Sequence, residues 1–226
     1  MSTRPLSRSV EDYLKTIYEL SAGGDPASTS AIAEALEIQP ASVTGMVKRM
    51  AEWGLLEHVP YRGVRLTEPG TREALSIVRR HRILETYLCD RLGYAWDDVH
   101  DEAERLEHAA SDRLIEKMAR ALGFPSHDPH GAPIPTSSGD VEAAVRATLA
   151  DAEAGDRLVI HAVRDEDSAH LRSMAAEGLV PGARVRVDGG TAPDGSVRVD
   201  VTGSDGGTRS VPAHLARQVY VVPDEG

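Results

Sequence analysis

The hydrophobic pattern of this chain changes period partway along, and that change limits its fold more than any other feature. Up to Gly123 the apolar residues recur at helical spacing. From Gly155 they alternate, in RLVIHAV, ARVRV, SVRVDV and QVYVV, with the Gly-rich turns DGGTAPDG and GSDGG between them. The sequence therefore predicts an α+β protein with its helices first and a small antiparallel β-domain last. Between the two lies FPSHDPHGAPIPTSSGD, whose Pro, Gly and Ser content marks a boundary. Its His127 and His130 read as solvated linker residues. One helical insertion, DEDSAHLRSMAAEG, separates the first two strands and carries Asp167 and His170 at i, i+3, a pair of possible metal ligands. A length of 226 residues suits two or three small domains.

The helical part opens with EDYLKTIYEL, in which Tyr13, Leu14, Ile17, Tyr18 and Leu20 form a stripe with Asp12 and Lys15 off it. GGDPAST breaks this helix, and Ser28, Thr29 or Ser30 can cap the next, SAIAEALE. After a tight turn at IQP, Pro40 suits the first position of a third helix, ASVTGMVKRMAEW, which Gly54 stops. Helix, short turn, helix and then two strand-like runs around Tyr61-Arg62-Gly63 is the pattern of a winged helix-turn-helix. The candidate DNA contacts are Gln39, Pro40, Ser42 and Thr44 at the start of the third helix, Lys48 and Arg49 within it, and Arg62 and Arg65 on the hairpin. Short polar groups suit phosphates and groove floors, and cations suit phosphates. From Ile38 to Arg65 these bases outnumber Glu52 and Glu57, a local positive face on a chain of net charge -11.

A long helix is expected from Thr67 to Leu92, carrying His81 and Glu85 at i, i+4, followed by a helix from Val99 to about Ser111 that continues into DRLIEKMARALG. In VHDEAERLEH, His100, Glu104, Glu107 and His108 stand at i, i+4, i+7 and i+8, so one helix face gathers two imidazoles and two carboxylates. A charged surface helix is the plainer reading. A metal site is the sharper one, because gathered carboxylates repel until a cation neutralises them. His81, Glu85 and His100 form a possible second cation site.

The 41% hydrophobic and 27% charged composition is that of a soluble globular protein, and no apolar run is long enough to cross a bilayer. The N-terminus lacks a secretory apolar region, and the single cysteine, Cys89, excludes an intrachain disulfide framework, so a cytoplasmic location is expected. Cys89 itself reads as a small core residue. No nucleotide-binding glycine motif or nucleophile elbow is present.

A winged helix, a helical segment bearing H-x3-E-x2-E-H and a short β-barrel, in that order, resembles the diphtheria toxin repressor family of metal-dependent transcription regulators. EDYLKTIYEL, RRHRILE, VHDEAERLEH and HGAPIP carry the likeness most strongly. The resemblance implies a DNA-binding domain over residues 1–72, a helical dimerisation and metal-binding domain over 73–140, and an SH3-like barrel over 141–226. It implies no enzymatic activity. It further implies a primary metal site of Asp12, Glu104, Glu107 and His108, and an ancillary site of His81, Glu85 and His100 with Asp167 and His170 of the barrel. A homodimer bound to palindromic operator double-stranded DNA is implied too.

Iron-responsive members of that family place a methionine and a cysteine where this chain has Asp12 and Glu104. An oxygen-rich set with one imidazole suits Mn(II), with Fe(II) the alternative. Lys15 stands where short manganese-responsive members carry a second acid, which argues for a single primary ion beside the separate ancillary one. The expected mechanism is that Asp12, Glu104 and Glu107 repel one another without metal and leave the first helix loosely held. Two rival readings are a metal-dependent hydrolase, for which the histidine spacing and the wing are poor fits, and a winged-helix regulator sensing an organic ligand.

Overall fold

The computed structural model describes residues 6–164, 168–189, 192–202 and 207–225. The architecture is α+β as expected. Eight α-helices are described: α1 (Arg8–Leu20), α2 (Thr29–Ala35), α3 (Pro40–Glu52), α4 (Glu68–Leu92), α5 (Val99–Leu106), α6 (Asp112–Ala121), α7 (Ser168–Ala176) and α8 (Ala213–Ala216). The strands are β1 (Leu56–Val59), β2 (Gly63–Leu66), β3 (Arg157–Val163), β4 (Arg184–Val187), β5 (Val197–Thr202), β6 (Gly207–Val211) and β7 (Val219–Pro223). They fall into two compact units. One holds the residues up to His81 with Leu106–Ser111 and Pro135–Asp140, and the other holds Arg82–Arg105, Asp112–Ile134 and the residues from Val141 onward.

In the first unit, α1, α2, α3 and the β1–β2 hairpin close around Leu14, Ile17, Ile32, Val43, Val47 and Met50. Of the three candidate caps for α2 the Ser28 hydroxyl is the one used, accepting a hydrogen bond from the Ala31 amide at 3.1 Å. Pro40 begins α3, where its missing N–H costs nothing. The hairpin pairs Leu56 with Leu66 and Val59 with Gly63. Gly63 has φ of 121°, and a Cβ there would lie 2.0 Å from the Ala27 carbonyl oxygen. The same close approach lets Ala27 bridge to Val64, which ties the wing to the α2 entry.

In the second unit the strands form one antiparallel sheet in the order β6-β5-β4-β3-β7. Its inward residues, among them Ile160, Val185, Val199 and Val219, pack with Leu171 and Met174 of α7. β6 is a strand the sequence did not announce, because GTRSV contributes only its last residue to the core. β3 carries a bulge between Ile160 and Ala162. Gly131 lies against that bulge with φ of 87°, where a Cβ would stand 2.1 Å from the His161 carbonyl oxygen. The Val163 amide donates to the His130 carbonyl at 2.9 Å, so this segment is fastened to the strand just before Gly131.

Two expectations need correction. The helix from Val99 ends at Leu106, and Glu107 and His108 lie in the turn that follows, before α6 begins. The four-residue stripe is therefore not one helical face. His100 and Glu104 are on α5, whereas the turn re-aims the other two. The linker reading of the HDPH segment also fails for His130, which is fully buried.

Candidate metal centre and nucleic-acid face

Within the first unit a cluster of charges forms around Glu107, whose side chain is wholly buried. His108 follows it in the turn. His108 Nε2 lies 2.9 Å from Asp12 Oδ1 and 3.4 Å from Glu107 Oε1, so α1 and the turn after α5 bring three of the expected ligands together. The other ring nitrogen, His108 Nδ1, is 2.6 Å from Glu11 Oε2. Arg80 on α4 donates to Glu11 Oε1 at 2.8 Å and to the Glu107 carbonyl at 3.4 Å. A carboxylate behind an imidazole fixes the orientation of the ring. Glu104 lies in the last turn of α5, three residues before Glu107.

Two oxygen ligands and an imidazole fit a hard or borderline divalent cation well. They are not left repelling one another. Lys15 Nζ donates to Glu107 Oε1 at 3.3 Å and Oε2 at 3.1 Å, and His81 Nδ1 is 2.6 Å from Oε2. Burial alone would raise the Glu107 pKa. The hydrogen bond from His81 and the charge of Lys15 outweigh it and hold the carboxyl below its ordinary value. Lys15, His81, Arg80 and His108 link α1 to α4 and to the turn, so the acids stand beside basic partners.

Glu11 and Arg80 were missed as participants, and Lys15 was noted only for the acid it replaces. The signal available was the i, i+4 pair Glu11 and Lys15, next to the predicted ligand Asp12 on α1 and one residue before His81 in the case of Arg80.

In the second unit Glu85 on α4, Asp128 and His130 each offer a ligand atom, all within 4.8 Å of one another, and all three side chains are buried. His130 Nε2 is 2.7 Å from the Trp96 carbonyl oxygen and donates its ring proton to it. Its Nδ1 faces Glu85 Oε2 at 3.8 Å. Asp128 Oδ1 accepts from the His130 and Ala132 amides, each at 2.9 Å, and Oδ2 lies 3.4 Å from Arg82 Nε. Glu85 Oε1 is 3.2 Å from His100 Nδ1, so these two of the residues expected at the second site come together. His81 Nδ1 is turned to Glu107. His170 sits on α7 with its ring 5.4 Å from that of His214, and Asp167 lies outside the described residues. Asp128 and His130 were legible only as a Pro-flanked DPHG segment, and what hid them was its loop composition.

Every expected DNA contact is on the surface of the first unit: Gln39, Pro40, Ser42, Thr44, Lys48, Arg49, Arg62 and Arg65 are all exposed. Gln39 is the N-cap of α3, with its side chain making no cap hydrogen bond. The Thr44 hydroxyl donates to the Pro40 carbonyl at 3.1 Å. Arg62 pairs with Asp25 at 2.5 Å and Arg65 donates to the Gly24 carbonyl at 2.9 Å. Asp25, remote in sequence, therefore joins this face and reduces the positive excess counted along the chain.

Comparison with known proteins agrees along nearly the whole chain. Residues 5–64 match the N-terminal DNA-binding domain of iron-dependent repressors, residues 67–136 their metal-binding and dimerisation domain, and residues 147–223 the FeoA domain. The iron-dependent repressor IdeR of Mycobacterium tuberculosis is 32% identical over 223 residues, covering 93% of this chain and 95% of that one. The diphtheria toxin repressor of Corynebacterium diphtheriae is 36% identical over 149 residues, 64% of this chain and 66% of that one. Among solved structures, a manganese-dependent transcriptional repressor in complex with manganese superposes with a TM-score of 0.86 at 38% identity, over 95% of this chain and all of that one. The manganese regulator SloR follows with a TM-score of 0.80 at 31% identity, over 98% and 100%. With the DNA-binding, metal-binding and dimerisation, and FeoA domains matched in that order along the chain, it belongs to the iron-dependent repressor family, which is one of DNA-binding regulators rather than enzymes.

Proposed function

We propose that the protein is a metal-dependent transcriptional regulator, acting mainly as a repressor in metal-ion homeostasis, with Mn(II) as its co-regulator. The convergence of Asp12, Glu107 and His108 carries this reading, since oxygen donors with one imidazole and no sulfur remove the preference for softer ions. Glu104, one turn before His108 along the same segment, supplies the fourth ligand. The second ion position is the Glu85, Asp128 and His130 cluster, with His100 beside Glu85. The bound divalent ion supplies positive charge. Asp12 and Glu104 then serve as its counterions, and Glu11 with Arg80 keeps the His108 ring oriented.

The DNA-competent form is a homodimer presenting two α3 helices to the two halves of an operator. Lys48 and Arg49 on α3 and Arg62 and Arg65 on the wing serve the phosphates, and the exposed groups at the start of α3 serve the bases. Asp12→Asn removes one anionic ligand and nothing from the core. In equilibrium dialysis it should lower Mn(II) affinity by at least an order of magnitude, and in a band-shift titration it should abolish the Mn(II) dependence of operator binding. Full retention of both would refute the assignment.

A further inference from the structure

Lys15 does more than fill space on α1. Its ammonium is nearly buried, with 11% of the side chain exposed, and stands 3.1 Å and 3.3 Å from the two Glu107 oxygens and 3.1 Å from His81 Nδ1. A carboxylate and an imidazole nitrogen turned on one buried positive charge are the groups that hold a divalent ion. Glu107 is shared between two sides. Its Oε1 is the oxygen next to His108 and, through it, Asp12, whereas Oε2 is the one bonded to His81. A carboxylate that serves two cation positions at once is the bridging element of a two-metal site, whose ions lie about 3.5–4 Å apart. Here the protein's own charge stands in one of the positions.

We propose that Lys15 is a tethered cation occupying the position between the Glu107 carboxylate and His81 Nδ1 beside the primary site, so that no second ion stands there and the primary site takes a single one. The inference rests on reading Asp12, Glu107 and His108 as metal ligands. An ammonium carries no lone pair and so cannot be displaced into a ligand. It also repels any divalent ion brought within a few Å of it. The residue therefore sets both the number of ions and the affinity for the first.

The test uses the metal-stripped full chain with Mn(II) as the probe, followed by equilibrium dialysis and electron paramagnetic resonance. The wild type should show isolated Mn(II) only. Lys15→Glu should bind one more ion per chain and show the exchange-coupled spectrum of a carboxylate-bridged pair. Lys15→Met, which removes the charge without adding a ligand, should bind the primary ion about tenfold more tightly, as expected from losing one unit charge at close range. Circular dichroism verifies that each variant is folded, and the methionine variant carries the test if the glutamate variant is not. A coupled pair in the wild type, no additional ion in folded Lys15→Glu, or an unchanged affinity in Lys15→Met would each overturn the inference. If all three proteins bind no Mn(II), the reading of the primary site falls with it.

Discussion

Glu107 shows how one buried residue links stability to the site. Its carboxylate is ionised inside the protein because His81 and Lys15 serve it, so its folded pKa lies below that of the unfolded chain, near 4.3. A lowered carboxylate pKa contributes stability above the unfolded value, and that contribution is lost as pH falls through the folded one. In metal-free protein, Glu107→Gln should cost about 3 kcal/mol at pH 7 in denaturant unfolding, the usual result of stranding one member of a buried pair. The difference from wild type should shrink as the pH is lowered beneath 4. A pH-independent difference would show that packing, and not charge, holds Glu107. Cys89 makes a second prediction at this scale. Burial, reinforced by Glu85, Asp90 and Asp128, pushes its thiol up to about 12. It should stay unmodified by a disulfide reagent at pH 8 until the protein is unfolded, and rapid native labelling would contradict that assignment.

At the scale of elements, local chemistry explains why much of the architecture could be read from residues alone. Ser28, Pro40 and the alternation of β3, β4, β5 and β7 act through neighbours in sequence, and each is where its spacing placed it. Ser28→Ala should therefore cost about 1 kcal/mol of stability in thermal or denaturant unfolding, the ordinary loss of a helix cap. What could not be read depends on contacts between distant segments. The early end of α5 is one case: helical periodicity runs through Glu107 and His108, yet Arg80 and Lys15, from other helices, hold that turn. His130 is the other. Its burial requires Gly131 to lie against the β3 bulge, thirty residues away, and no local signal announces that. Gly131→Ala should destabilise by about 1–3 kcal/mol, through strain at positive φ added to the clash with the His161 carbonyl. A neutral substitution would mean that the segment can relax off the strand.

For the whole molecule, the acids of the primary site stand among basic side chains, Lys15, His81 and Arg80. These hold the site closed in charge, and among the described residues no helix is long and apolar enough to cross a membrane. On the proposed reading, a divalent ion replaces part of that internal neutralisation and biases the dimer toward the form that fits an operator. Coupling of this kind is reciprocal, so operator DNA tightens Mn(II) binding by the same factor by which Mn(II) tightens DNA binding, typically about 5 to 150-fold. The most direct measurement is a titration of operator DNA with the metal-stripped protein at fixed salt, in parallel in chelator and in Mn(II). The account predicts an affinity gain within that range in Mn(II), and its loss in Asp12→Asn; equal affinity in chelator and Mn(II) would contradict it.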